Sequence, residues 1–274
     1  MTTVGRRNGV RFLCGGYNAG AMANHQAETV SLASTSPGRL FRSVWGAIAT
    51  AACVLLTAVF AVPAVILARF GRLRALTDLT TVWARALINM CGVRVEIEGL
   101  ERVRDLGPYI LVCNHQSFFD IFAIAAYMPG SIRFVGKKEL LKIPLVGYAL
   151  KHGGHVIIDR QGGGKEIRRA VEIVRKGFSL CVFAEGHRYS DNRVHEFEDG
   201  AAWLAALTKL PAVPMAVSGS GAFFPRLAKV VVPGGKMRMT IGTPIPTSNL
   251  KSNDRGELTR KLEEAVRALF VEEV

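Results

Sequence analysis

Residues 109–120 read YILVCNHQSFFD, and this stretch decides the fold. Its first five residues form an apolar run with the length and composition of a buried strand. The spacing of Ser117 and Asp120 is that of a capping box, which predicts that a helix begins at Ser117. A strand followed closely by a helix is the repeating pattern of proteins whose sheet is largely parallel.

The same alternation continues on both sides of this stretch, from about Val93 to the C-terminal region. Short apolar runs predict strands at residues 109–113, 156–158, 178–183, 213–217 and 237–241. Apolar residues at helical spacing predict helices at 167–174, 201–210 and 258–269, the second ended by Pro211. We therefore expect an α/β fold over residues 93–274, with a mixed, largely parallel sheet covered by helices.

The region before Val93 has a different character. Residues 43–68 are 26 consecutive residues without a formal charge, bounded by Arg42 and Arg69. As one helix they would measure ~39 Å, more than the ~30 Å of a bilayer's hydrocarbon core. Pro63 also permits a kinked helix that enters one leaflet, and a buried helix of a soluble core is the third alternative. We expect a membrane-associated helical segment over residues 39–92, preceded by a mobile tail over residues 1–38.

Charge favours the membrane interpretation. The chain has 35 Lys and Arg against 22 Asp and Glu, and residues 1–94 hold ten of the basic residues but only two of the acidic ones. Basic residues beside an apolar segment favour an anionic lipid surface. A nucleic-acid partner is not expected, because no basic stripe with interleaved aromatic residues or known module is visible.

Cysteine and histidine usage gives little sign of a metal site. The five cysteines are scattered and lack CxxC spacing, which argues against a disulfide framework or a zinc knuckle and favours a reducing compartment. His152 and His155 lie three residues apart, but Gly153 and Gly154 interrupt any helix that would align them. We expect no metal and no cofactor.

His115 and Asp120 are the first candidate catalytic pair. Residues five apart on a regular helix point about 140° away from each other, so the two could not meet along one helix. A turn before the helix would leave His115 free to fold back toward Asp120. A carboxylate bonded to one imidazole nitrogen makes the other a general base for a hydroxyl. The spacing alone fits equally well with Asp120 as only a helix cap and His115 as a loop residue.

Residues 183–188, FAEGHR, end another predicted strand with polar side chains. The guanidinium of Arg188 is suited to forked binding of a phosphate. A solvated Arg188 paired with Glu185 is the competing interpretation. Cys113, two residues before His115, would allow a covalent acyl intermediate, but a cysteine that ends a buried strand is more often simply packed.

Together these two stretches resemble the lysophosphatidate acyltransferases, also called 1-acylglycerol-3-phosphate acyltransferases, of the wider glycerolipid acyltransferases. That family's pattern is Asn-His-x4-Asp, followed later by Phe-Pro-Glu-Gly-Thr-Arg-Ser. The first block is complete at Asn114, His115 and Asp120, and the second reads FAEGHRYS at 183–190. Similar lesser blocks are GKKEL at 136–140, GHVIIDR at 154–160 and VPMAV at 213–217, so the resemblance covers about residues 90–245.

The resemblance implies a role for each matching position. His115 would deprotonate an acceptor hydroxyl while Asp120 holds it, and the oxygen would attack the carbonyl of an acyl thioester. The pocket for the acceptor's phosphate would be shaped by Glu185, Gly186 and Arg188, with Lys137 and Arg160 as helpers. Asn114 and Ser117 would give structural support.

The implied reaction makes phosphatidic acid from lysophosphatidic acid, with acyl-CoA or acyl carrier protein as donor. We expect a membrane enzyme with its active site on the cytoplasmic side. Three positions depart from the pattern, since Ala184, His187 and Tyr189 replace the family's Pro, Thr and Ser. These changes lie in residues 183–190, here called the acceptor block because the resemblance assigns it to acceptor binding. Another lysolipid or glycerol 3-phosphate therefore stays open as acceptor. The alternative without enzyme activity is a lipid-binding protein of the same fold.

Overall fold

The structure is a computed structural model that describes residues 37–142, 146–158, 165–189, 191–224, 228–250 and 254–272. Gly38–Val274 form one compact unit. The predicted tail falls on residues outside this description, except that Pro37 and Gly38 already belong to the first helix. The predicted boundary at residue 92 falls between a helix that ends at Met90 and a strand that begins at Val93.

A seven-stranded sheet forms the centre of the unit, in the order β1-β7-β6-β2-β5-β3-β4. Every neighbouring pair in it is parallel except β6 with β7. This confirms the predicted mixed, largely parallel sheet. The strands are β1 (Val93–Glu98), β2 (Ile110–Cys113), β3 (Arg133–Lys137), β4 (Val156–Ile158), β5 (Leu180–Phe183), β6 (Ala212–Ser218) and β7 (Gly235–Ile241).

Helices cover both faces of the sheet, and β2 at its centre shows how. Successive residues of a strand point to opposite faces. Leu111 and Cys113 accordingly join one apolar core with residues of α2 and α4, whereas Ile110 and Val112 join a second core with residues of α6, α7 and α8. The helices are α1 (Pro37–Arg69), α2 (Leu73–Met90), α3 (Glu101–Arg104), α4 (Phe118–Tyr127), α5 (Val146–His152), α6 (Lys165–Arg175), α7 (Gly200–Thr208) and α8 (Arg255–Leu269).

The uncharged N-terminal run forms α1 as predicted. Its part from Ser43 to Arg69 has a mean hydropathy of 2.6, and by length and composition it is able to cross a membrane. One row of large apolar side chains on α1 is exposed: Val44, Trp45, Ile48, Val54, Leu55, Val59, Val62 and Ile66.

A second row on α1 contacts the rest of the unit. Val231 N–H donates to the Thr50 hydroxyl at 2.9 Å, and Trp83 Nε1–H of α2 donates to the Thr57 hydroxyl at 3.2 Å. Between these two points, the sulfur atoms of Cys53 and Cys91 lie 3.5 Å apart. Positions 50, 53 and 57 recur at helical spacing, so one narrow face of α1, which also holds the buried Ala49, packs on the domain.

Candidate active site

The turn between β2 and α4 brings His115 and Asp120 together. Their side chains meet at 2.8 Å between Nδ1 and Oδ2. Ser117 is the N-cap of α4, and the predicted capping box with Asp120 is present. Since Asp120 lies in the first turn of α4 and His115 in the preceding loop, the chain folds back over itself there, as the sequence predicted.

The hydrogen bonds of Asp120 fix the tautomer of His115. Oδ2 of Asp120 also accepts the backbone N–H groups of Gln116 and Ser117, at 2.7 and 2.9 Å. An ionised carboxylate only accepts, so Nδ1 of His115 carries the proton and Nε2 keeps its lone pair. The Asp120 side chain is 0 % exposed while that of His115 is 12 % exposed, so only the imidazole reaches the surface.

Asn114 joins this turn to the neighbouring strand β6. Its side-chain amide donates to the carbonyl of Val217, and its side-chain carbonyl accepts from the Val217 N–H, both at 2.8 Å. The amide thus makes two hydrogen bonds to one residue of β6, beyond the end of β2. This holds the residue before His115 at a fixed position.

Glu185 joins the same turn to the loop after β5. One carboxylate oxygen accepts the N–H of His115 and the other accepts the N–H of His195, both at 2.8 Å. The residue is buried, and this burial raises the pKa of its carboxyl to about 7, although the two backbone N–H bonds act in the opposite direction. Because both oxygens are engaged by the backbone, we interpret Glu185 as a brace that shapes the site rather than as a direct ligand of substrate.

An aromatic residue of β5 supports the imidazole. The ring of Phe183 lies parallel to that of His115, with centroids 3.8 Å apart. Phe134 of β3 continues this stack at 6.2 Å from Phe183, and the ring of His155 lies 5.9 Å beyond Phe134. The sequence did not predict this stack, because its four residues lie far apart in the chain.

His155 has a structural role in this stack. Its Nδ1 accepts the N–H of Phe134 at 3.1 Å, and burial lowers its pKa to about 3, which keeps it neutral. Among the residues that the structure describes, no group of three or more His, Cys, Asp or Glu side chains is arranged to hold a metal ion.

The acceptor block lies against the first turn of α4. The guanidinium carbon of Arg188 lies 3.9 Å from the centre of the Phe118 ring. The N–H of Tyr189 donates to the carbonyl of His115 at 2.9 Å. Gly186 has φ +67°, a conformation that residues with a side chain rarely adopt, so this turn favours glycine. The two predicted blocks are therefore in contact.

Two predicted helpers do not enter this description. The side chain of Lys137, at the end of β3, and the whole of Arg160 lie outside the described residues.

A further cluster was not predicted: the ring of His195 stacks on Tyr189 at 3.8 Å and its Nε2 bonds to Asp191 at 2.8 Å. The cluster lies within ten residues of Glu185 in the chain, but its described residues form irregular loop structure, which no periodicity in the sequence indicates.

Cys113 is packed in the apolar core on the α2 and α4 side of the sheet. It is fully buried, and its thiol lies 3.8 Å from both the Cys181 sulfur and the Val182 carbonyl. Burial raises the pKa of this thiol well above its usual range. A buried, protonated thiol is a poor nucleophile, so this geometry favours direct acyl transfer over a cysteine intermediate.

The fold and this site define an α/β protein with a His–Asp pair at the carboxyl end of a central parallel strand. Residues 94–218 match the family model described as Acyltransferase. The structure also superimposes on the crystal structure of the 1-acyl-sn-glycerophosphate (LPA) acyltransferase PlsC from Thermotoga maritima, with a TM-score of 0.71 at 24% identity. That match covers 83% of this chain and 95% of the other, and it shows a shared fold.

Curated relatives carry the same kind of name. The chain is 33% identical over 156 residues to the chloroplastic 1-acyl-sn-glycerol-3-phosphate acyltransferase BAT2 of Brassica napus, covering 56% of this chain and 45% of that protein. It is 29% identical over 185 residues to 1-acyl-sn-glycerol-3-phosphate acyltransferase alpha of Ovis aries, covering 66% and 64%. The matches thus span about half to two thirds of these relatives. They confirm the predicted resemblance to this family.

Proposed function

We propose that this protein is a 1-acyl-sn-glycerol-3-phosphate acyltransferase, which moves an acyl chain from a thioester to the free hydroxyl of lysophosphatidic acid. The observation that carries this proposal is the 2.8 Å contact between His115 and buried Asp120 within an acyltransferase domain. Asp120 holds the imidazole in the tautomer that a general base needs, and the edge of His115 reaches the surface.

The proposed reaction uses these groups in one direct transfer. Nε2 of His115 takes the proton of the acceptor hydroxyl as its oxygen attacks the thioester carbonyl. A C–O bond forms, the C–S bond breaks, and the thiolate leaves with the proton that His115 returns. The transient imidazolium is stabilised by the Asp120 carboxylate and the face of Phe183. The product is phosphatidic acid together with the free thiol of CoA or acyl carrier protein.

Arg188 is the proposed ligand of the acceptor's phosphate. Its guanidinium lies over Phe118, at the start of the helix that carries Asp120, so a phosphate bound there would lie near the base. Gly186 allows the tight turn that brings Arg188 to this position. Lys137 and Arg160 remain proposed helpers.

The exposed face of α1 is the proposed membrane anchor. Between residues 46 and 57 the helix packs on the domain through the face that carries Thr50, Cys53 and Thr57. The opposite face of this part of the helix is therefore free for lipid. An amphipathic placement of this kind favours a helix that lies in one leaflet over one that crosses the bilayer alone. A lysolipid holds its hydroxyl near headgroup depth, where such an anchor would keep the site, on the proposed cytoplasmic side.

A thioester-release assay with lysophosphatidic acid tests the catalytic assignment. We expect His115→Ala to lower kcat by a factor of at least ~10²–10⁴, because a positioned general base contributes that much. His152→Ala, an exposed histidine on α5, is the matched control and should retain activity. Full activity in His115→Ala would refute the mechanism, and no activity in the unaltered chain with any donor would favour the non-catalytic lipid-binding alternative.

An acceptor panel tests the substrate. Lysophosphatidic acid, other lysophospholipids and glycerol 3-phosphate would be offered with one labelled acyl-CoA, and then with the same acyl chain on acyl carrier protein. We expect the highest kcat/KM with lysophosphatidic acid. A preference for glycerol 3-phosphate or another lysolipid would reassign the acceptor while leaving the role of His115 intact.

A further inference from the structure

A loop of residues 228–234, which leads into β7, contacts the N-terminal half of α1. The N–H of Val231 donates to the Thr50 hydroxyl at 2.9 Å, and a side chain at Gly46 would lie only 2.6 Å from the Val231 carbonyl oxygen. Trp45 of α1 and Pro233 of the loop line the same cleft. The loop and the helix therefore present one continuous surface.

Two valines of this loop point outward beside the exposed row of α1. Val231 is 8 % exposed and belongs to the core, whereas its neighbours Val230 and Val232 are 39 % and 47 % exposed. Trp45, across the shared cleft, is 50 % exposed. Single exposed apolar residues are ordinary, but a patch that continues across two elements indicates a surface with a partner.

The charge around the valines indicates which partner this surface fits. Residues 228–241 contain three basic residues and no acidic one, and of these Arg238 is paired with Glu96 and Glu98 of β1. Lys229, directly before Val230, and Lys236, at the start of β7, are both exposed. Lys236 also lies 3.6 Å from Glu96 of β1, so part of its charge is balanced within the protein. Exposed apolar side chains flanked by lysines suit an anionic lipid surface.

We infer that Val230 and Val232 form a second lipid contact, which enters the same leaflet as α1. This inference rests on the membrane anchoring proposed above. A helix that lies in a membrane surface can roll about its own axis. A second contact beside the helix would stop that roll, so the domain would keep one orientation toward the lipid that carries its substrate.

Depth measurements on the full chain test this contact directly. A nitrobenzoxadiazole label would be attached to Val232→Cys, to Val59→Cys on the exposed row of α1, and to Leu207→Cys. Leu207 is an exposed leucine of α7 on the opposite face of the sheet. The background would carry Cys14→Ser and Cys53→Ser, since the other three cysteines are buried. The vesicles would contain phosphatidylglycerol, phosphatidylcholine and lipids spin-labelled in the acyl chain.

We expect the spin-labelled lipids to quench the labels at positions 59 and 232 and to leave the label at position 207 unaffected. Quenching at 59 without quenching at 232 would overturn this inference while the proposed anchor stands. No quenching at 59 would refute the anchor itself, and with it the loop contact. Equal quenching at 207 and 232 would also overturn the inference, because the domain would then face the membrane differently.

An activity comparison gives a second, label-free measurement. Val230→Asp combined with Val232→Asp places two carboxylates at the lipid contact. We expect this variant to lose several-fold in activity on vesicles but to match the unaltered protein on detergent-dispersed substrate. Leu207→Asp is the matched control and should behave alike on both. An equal loss on vesicles and in detergent would contradict a lipid contact.

Discussion

The ring of Phe183 covers one face of His115, with an angle of 16° between their planes. When His115 takes a proton it becomes a cation, and an aromatic face stabilises a cation by about 1 kcal/mol. Phe183→Leu should therefore lower kcat by roughly five-fold, with a smaller effect on the KM of the acceptor. Steady-state kinetics on protein shown to be folded would measure this.

The same stack supplies matched controls for that prediction. Phe134→Leu removes the next ring along, which contacts Phe183 but not His115, and it should leave kcat nearly unchanged. Phe183→Tyr keeps an aromatic face and should restore most of the rate. Equal losses of kcat in the two leucine variants would mean that the stack acts only through packing.

At the residue scale, the local spacing allowed the His115–Asp120 contact and the family resemblance implied it, but neither predicted what holds the contact in place. The capping-box spacing made the turn visible, since Ser117 and Asp120 lie within three residues. Glu185 is different, because its carboxylate bonds to the N–H of a residue 70 positions earlier. The resemblance implied that Glu185 helps to shape the phosphate pocket, and the fold adds that both of its oxygens accept backbone N–H groups.

At the element scale, strands with continuous apolar runs were predicted well, and β1 and β3 were not recognised. β3 begins with Arg133, whose charge interrupts the apolar run by which a strand would be predicted. In the fold this guanidinium is buried and donates to the Leu73 carbonyl and the Thr77 hydroxyl of α2, at 2.9 Å each. A buried arginine of this kind depends on partners about sixty residues away, which no periodicity reveals.

A substitution at Gly46 tests how α1 packs on the rest of the domain. Gly46 faces the Val231 carbonyl, so Gly46→Leu should force the helix and the loop apart. Overpacking of this kind typically costs about 1–3 kcal/mol. We expect a lower Tm in detergent and faster proteolysis between α1 and α2. Ala51→Leu, on the exposed side of the same helix, should change neither, and equal effects of both would argue against docking through this face.

At the scale of the whole molecule, the proposed anchor α1 and the candidate site belong to one layer of the fold. Trp83 of α2 bonds to Thr57 of α1, and Thr81 of α2 donates to the Ala125 carbonyl of α4 at 3.0 Å. The first turn of α4 carries Asp120. A short chain of contacts thus runs from the exposed helix to the carboxylate that holds His115, and the sheet separates this layer from α6, α7 and α8.

The free energy of unfolding should depend on pH through the buried carboxyl of Glu185. Burial raises the pKa of Glu185 from its ordinary value of 4.5 to about 7. Between these values the folded state holds a proton that the unfolded state has released, so the free energy of unfolding falls as pH rises through this window. The effect is on the order of 3 kcal/mol. Glu185→Gln removes this titration, although the amide satisfies only one of the two backbone N–H groups.

The difference between the unaltered protein and Glu185→Gln therefore matters more than either value alone. Denaturant unfolding of both in detergent, at about pH 5 and about pH 8, should show the unaltered protein losing stability relative to the variant as pH rises. Glu264→Gln, at an exposed position of α8, should track the unaltered protein at both values. A difference that stays constant with pH would mean that Glu185 is ionised throughout, and that its two backbone hydrogen bonds outweigh the cost of burying the charge.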